Sequence, residues 1–298
     1  MTTVPTADTP FEADLKLAFE LADICDAVTL PAFNDRSFSV EYKSDRSEVT
    51  EADREAERQL SERLLAARPH HSLFGEEHGM TGYASSEWQW IVDPIDGTSG
   101  FTRGIPIWAT LIALNHSTEG LCVSVVSAPA LGRRWWATKG GGTYADGRIC
   151  SVSGVDNIAD AQVNITLNEG WSTLGHADAL IELTTSARRS RGVGDFWQHC
   201  LVAEGAMDVA IDAVGVQPYD LAAVRLLVEE AGGTFTNHLG EPTHAGPTRP
   251  ESVPRPPGPP ARRSPQGDRG RPAQRPGRGR SPRTGGRPCR CRRSPPDV

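Results

Sequence analysis

The chain has no apolar run approaching the roughly 20 residues needed to cross a bilayer. Its first ten residues are polar and proline-rich, without the basic start and apolar core of a secretory signal. Six cysteines, Cys25, Cys122, Cys150, Cys200, Cys289 and Cys291, form no CxxC pair and no zinc spacing. Cys289-Arg290-Cys291 is too tight for an ordinary metal finger, and the others read as small buried hydrophobes. These absences argue for a reduced, cytoplasmic protein with no membrane partner.

The charge is divided. From Gly246 onward there are 14 arginines, no lysine and three acids, which leaves residues 1–245 with 17 basic and 35 acidic side chains. So acidic a body disfavours nucleic acid as a partner and suits a substrate that carries positive charge. The tail from 246 to 298 is Pro, Arg, Gly and Ser, with Val253 and Val298 its only aliphatic residues larger than Ala. Such composition buries no core, so a disordered segment is expected. It reads as a GC-rich gene translated out of frame. An RNA-binding arm is the lesser reading, because no aromatic residues interleave to stack bases.

Six residues, Asp93-Pro94-Ile95-Asp96-Gly97-Thr98, carry the most chemical information. They follow the apolar run Trp88–Val92, which reads as a buried strand that Pro94 stops from pairing further. Two acids at a strand end, the Ile95 carbonyl and the amides after Gly97 suit a hard cation beside a phosphate. The segment also fits a plain Asp/Pro/Gly turn. Two further acidic groups favour the metal reading. Gly75-Glu76-Glu77 ends another short apolar run, and Asp220 opens a helix with Leu221, Val224, Leu227 and Val228 at helical spacing. Taken singly, Asp220 is an ordinary N-cap.

Together, Glu76-Glu77, the DPIDGT segment, and Asp220 followed by Glu229-Glu230-Ala231-Gly232-Gly233 resemble the inositol monophosphatase family of Mg²⁺-dependent phosphatases. The resemblance runs from about residue 11 to about residue 240 in family order and spacing. Ser127–Trp136 and Arg191–Trp197 are similar to the histidinol-phosphate phosphatase branch. The resemblance implies Mg²⁺ held by Glu76, Asp93 and the Ile95 carbonyl, and a second ion held by Asp93, Asp96 and Asp220. A weaker third ion would sit near Glu76. Thr98 and Asp53 would orient and deprotonate the attacking water, Lys43 would stand near the metals, and the Gly97 and Thr98 amides would meet the phosphate. Asp195 and Asp212, with Arg191 and Trp197 close by, would surround the leaving group. The expected substrate is histidinol phosphate, as in histidine biosynthesis, or alternatively an inositol or related sugar phosphate. An inactive relative of the fold is a third possibility. Relatives are usually dimers, so a homodimer is expected. One departure is Ser99-Gly100-Phe101, where the family usually shows a larger residue and then Asn or Ser.

The implied fold is α/β, a layered α-β-α-β-α sandwich. Residues 1–150 would hold the metal and phosphate site, residues 151–245 the specificity elements, and residues 246–298 the tail. Periodicity predicts helices over Phe11–Phe33, Glu51–Ala67 (capped by Thr50), Trp171–Leu183 and Gly194–Glu204, and from Asp220 onward. Strands are predicted at Phe38–Lys43, around Leu73 and Ile91, and at Ile105–Leu114, Leu121–Ala128 and Arg134–Thr138. Further strands are expected at Ala161–Thr166, Asp208–Ile211 and Gly233–Thr236. Residues 44–48 read as a mobile loop. His199 lies on the helix that carries Asp195, and a lone His there is more often structural than substrate-binding.

Overall fold

The computed structural model describes residues 11–43 and 47–242. The arginine-rich tail and residues 44–46 of the expected loop lie outside the described residues. Helix α1 (Glu12–Asp35) and helix α2 (Glu51–Ala67) lie where their apolar stripes predict. Thr50 caps α2: its hydroxyl accepts from the Ala52 amide, and its own amide donates to Asp53 at 2.9 Å.

Among the described residues thirteen strands form three sheets. A short antiparallel hairpin pairs β1 (Val40–Tyr42) with β2 (Glu48–Thr50). The central sheet comprises β3 (Ser72–Gly75), β4 (Gly79–Gly82), β5 (Trp88–Asp96), β6 (Ala109–His116), β7 (Gly120–Ala128), β8 (Arg133–Thr138), β9 (Gly142–Ala145) and β10 (Arg148–Ile149). Their order is β10-β9-β8-β7-β6-β5-β3-β4, antiparallel except where β3 runs parallel to β5. The third sheet is parallel, β12 (Arg189–Arg191) and β13 (Val209–Ile211) flanking β11 (Gln162–Ile165).

Period-2 alternation decides which residue meets which layer. Trp90, Val92, Ile112, Leu114 and Val125 face α1 and α2, packing on Leu15, Leu21, Leu60 and Leu64. Ile91, Leu111, Val126 and Trp135 face the other way, toward α6 (Asp195–Ala203) and α7 (Pro218–Glu230), where Phe196, Cys200, Val224 and Leu227 complete the core. Beyond α6 comes the small sheet. Its outer face packs on Trp171 and Leu180, from α4 (Glu169–Thr173) and α5 (Ala177–Ser186). The five layers are the expected sandwich. A short helix, α3 (Thr98–Arg103), follows β5 directly.

Several expectations need correction. Pro94 does not end the strand: β5 continues to Asp96 through a bulge, one of the places a strand tolerates proline. Residues 105–108 do not pair as strand, because the Ile105 amide turns back to the Gly100 carbonyl at 2.9 Å and closes α3. Trp171–Leu183 is two helices, parted at Gly175, whose φ of +76° no α-helix accommodates. Gly233–Thr236 makes only an isolated bridge, Thr236 to Pro242. There the Gly233 amide bonds back to Val228 on α7, and Asn237 closes a turn with Glu241; among the described residues the segment joins no sheet. No helix among the described residues is long and apolar enough to cross a membrane.

Helix α7 approaches the central sheet through small side chains: Ala222 and Ala223 are 4 % and 1 % exposed. Enlarging one of them should push away the helix whose first turn carries Asp220. Ala223→Leu is expected to lower the unfolding free energy by about 1–3 kcal/mol in urea titration, while a volume-neutral exchange on exposed α5 leaves it unchanged.

Candidate active site

In a regular strand, residues three apart point to opposite faces, so Asp93 and Asp96 could not meet on an undistorted β5. The bulge solves this. Asp93 pairs with Leu111 and Asp96 with Ala109, and the extra residue between them swings both carboxylates to one side. The Pro94 carbonyl accepts from Thr110 Oγ1 at 2.8 Å, and the Ile95 amide donates to Asp93 Oδ1 at 2.9 Å. Asp220 arrives from α7, where Pro218 opens the helix and Asp220 Oδ2 accepts the Gln217 amide at 2.5 Å. Gln217 is therefore the N-cap, and Asp220 closes its capping box from the third helical position.

One oxygen from each of Asp93, Asp96 and Asp220 lies within 4.8 Å of the others. Asp93 is 2 % exposed and Asp96 9 %. No Lys, Arg or His among the described residues forms an ion pair with any of the three. Burial, then neighbouring negative charge, pushes Asp93 and Asp96 well above the usual carboxylate range. Asp220 is pushed up to about 7, mainly by burial, against the opposing pull of the Gln217 amide. Two buried carboxylates and a half-buried third, offering only hard oxygen donors, fit a divalent cation.

The other expected residues fall into three groups. Glu76 stands near enough to raise Asp93, but its Oε1 is held by Lys43 Nζ at 2.8 Å, so it lies outside the tight triad. Lys43 also bonds Glu77 at 2.7 Å; burial opposes its charge, yet the two glutamates hold its ammonium well above the usual range. Thr98 Oγ1 lies 2.9 Å from the Ile95 carbonyl and 3.1 Å from Asp53 Oδ1, and burial pushes Asp53 up to about 6. Gly97 has φ +87°, and a Cβ there would stand 2.9 Å from the Ile107 carbonyl and 3.3 Å from Asp195 Oδ2. Its glycine thus lets β5 turn into α3 under Asp195. Gly100 similarly leaves room for the Ile107 carbonyl, 3.2 Å from where its Cβ would be.

Asp195 has a left-handed backbone, φ +49°, which Asp tolerates better than most residues. The next amide, Phe196 N, donates to Asp96 Oδ2 at 2.6 Å, docking α6 on the triad. Burial and the charge of Asp212 push Asp195 up to about 6. Arg191 and Trp197 are not drawn to these acids. The Arg191 guanidinium bonds the Ser190 carbonyl on an exposed strand end, and Trp197 packs in the core against the central sheet.

Glu57 is a member of the site that its sequence position conceals. It is 1 % exposed on α2 and accepts the amides of Glu77 at 2.8 Å and His78 at 2.9 Å. A Cβ on Gly75 would land on its carboxylate, which explains the glycine before Glu76-Glu77. On α2 alone Glu57 looks like one more helical glutamate. The only hint is its place on the buried stripe, one turn after Asp53.

Strand-borne carboxylates, a helix-cap carboxylate and a Thr–Asp pair in a five-layer sandwich define a metal-dependent hydrolase. The chain matches the inositol monophosphatase family over residues 12–256 and belongs to it. It is 42 % identical to a histidinol-phosphatase of Streptomyces coelicolor, covering 78 % of this chain and 90 % of that protein. It is 44 % identical to a histidinol-phosphatase of Mycobacterium tuberculosis (75 % and 87 % covered) and 30 % identical to an inositol monophosphatase of Dictyostelium discoideum (76 % and 85 %). Among solved structures it resembles the extragenic suppressor protein suhB of Bartonella henselae, with TM-score 0.72, 26 % identity, and 77 % and 89 % of the two chains covered.

The raised acids have a stability consequence. Metal-free, Asp53 and Asp195 keep their protons to about pH 6 and Asp220 to about pH 7. An unfolded Asp loses its proton near about 3.9. Their contribution to stability is thus fully present below about pH 4 and is lost as the pH rises through the folded values. The Tm measured in chelator should fall from pH 5 to pH 8, and Asp220→Asn should flatten that fall. Glu57→Gln should cost about 1.5–3 kcal/mol in urea titration and raise the divalent-ion concentration needed to half-saturate the protein in calorimetry.

Proposed function

We propose that this chain is a Mg²⁺-dependent phosphomonoesterase that hydrolyses histidinol phosphate to histidinol and phosphate. The observation that carries this reading is the buried Asp93–Asp96–Asp220 triad beside the Thr98–Asp53 pair. The likeness to two histidinol-phosphatases directs it to the substrate. Asp93, Asp96, Asp220, the Ile95 carbonyl and Glu76 would hold the ions. Bound Mg²⁺ would neutralise phosphate charge and lower the pKa of water.

The chain's own residues do the remaining work. Thr98 has one hydroxyl proton; given to Asp53 Oδ1, it leaves the oxygen lone pairs free to accept from an attacking water. Asp53, titrating at about 6, can take up a proton near neutral pH. The amides of Gly97 and Thr98 offer donors to the phosphate, and Lys43 balances Glu76 and Glu77 at its edge. Asp195 and Asp212 supply the negative charge that the ammonium and imidazole of the leaving group need. Positioning and electrostatics are what phosphoryl transfer chiefly requires. The same acids could accept from inositol hydroxyls, and the Dictyostelium relative keeps that ester in view. The four cysteines among the described residues are free, three of them buried, which suits a cytoplasmic location.

The decisive measurement compares kcat/KM for histidinol phosphate and myo-inositol 1-phosphate. Histidinol phosphate should win clearly, with phosphate release abolished by EDTA and reduced at least about 100-fold by Asp93→Asn. A win for the inositol ester would reverse the substrate assignment, and undiminished activity in EDTA would overturn the mechanism.

A further inference from the structure

His199 lies on α6 with its side chain almost wholly buried, one turn beyond Asp195. Its Nε2 is 2.9 Å from Asp212 Oδ2. Asp212 follows β13 directly, and its other oxygen, Oδ1, accepts the Ala213 amide at 2.9 Å. The two oxygens are therefore each fixed by one donor, from opposite elements. A carboxylate has about four lone-pair sites, so both oxygens keep one for a further donor. Asp212 lies near enough to Asp96, Asp195 and Asp220 for its charge to raise all three.

An ionised carboxylate can only accept, so the imidazole must donate from Nε2. The bond to this ring nitrogen fixes where the Asp212 carboxylate points. The ring is buried and lies 5.4 Å from the Phe235 ring. The donor thus has little freedom to follow a carboxylate that swings away.

We infer that His199 is a positioning residue for substrate selection: it holds the Asp212 carboxylate toward the cationic part of the leaving group. This rests on the reading of Asp212 as a partner of that cation. The role is specific to charge. It acts on esters whose leaving group is cationic and leaves the phosphate-handling machinery alone.

The test compares kcat/KM for histidinol phosphate with that for glycerol 2-phosphate, whose leaving group is uncharged. Loss of a hydrogen bond to a charged group should lower the ratio of the two about tenfold in His199→Ala, mostly through KM for histidinol phosphate. His199→Gln, which keeps a side-chain N–H, should recover part of the ratio, and it decides the matter if the Ala variant does not fold. In an Asp212→Asn background, His199→Ala should change the ratio no further, since both act through one contact. Equal losses on both esters, or full additivity with Asp212→Asn, would overturn the inference. If Asp212→Asn alone leaves the ratio at the wild-type value, the cation-binding reading of Asp212 is what fails.

Discussion

Three carboxylates crowded into a nearly dry place cannot all carry charge without a counterion, and most of this molecule's architecture serves to put them there anyway. Asp93 and Asp96 depend on a bulge in β5, Asp220 on the cap of α7, and α6 is docked by its own amide on Asp96. Each acid accepts one backbone N–H, which fixes direction while leaving an oxygen toward the centre. Backbone donors hold a carboxylate in place without supplying the full positive charge that would make a cation redundant. The one nearby ammonium, Lys43, is engaged with Glu76 and Glu77, at the edge of the triad rather than in it.

Buried polar residues behind the acids support this arrangement. Glu57 grips the turn that presents Glu76, the capping box at Thr50 fixes Asp53, and His199 fixes Asp212. In each case a side chain that would be costly to bury alone is satisfied by a group that itself must be aimed. The consequence is that packing and chemistry are hard to separate: Asp53 is both the partner of the N-cap and the partner of Thr98. The glycines at 75 and 97 serve the same end, admitting a carboxylate or a carbonyl where any Cβ would stand.

Much of the fold and of the candidate site was legible in the order of residues. Apolar runs at Trp88–Val92 and Ala109–Leu114 mark buried strands, the stripes of α1 and α2 mark amphipathic helices, and Thr50 announces a helix start. The acids at 93, 96 and 220 stand out because their neighbours are apolar or turn-forming. Where reading by pattern failed, backbone conformation and hydrogen bonding outside the pattern decided. Pro94 looked like a stop, yet a bulge admits it; Gly175 split a stretch that periodicity joined; the segment after Gly233 folded back on α7 instead of extending.

Sequence by itself determined the donor chemistry, the layer each apolar residue faces and the family, because these depend on residue type and local spacing. Only the tertiary structure decided that Asp93 and Asp96 share a side of β5, that Glu57 reaches the Glu76-Glu77 turn, and that His199 meets Asp212. Those relations join residues on different elements, or invert the parity of a strand through one extra residue. Neither periodicity nor composition records them, since the closing of such distances is set by how the layers pack.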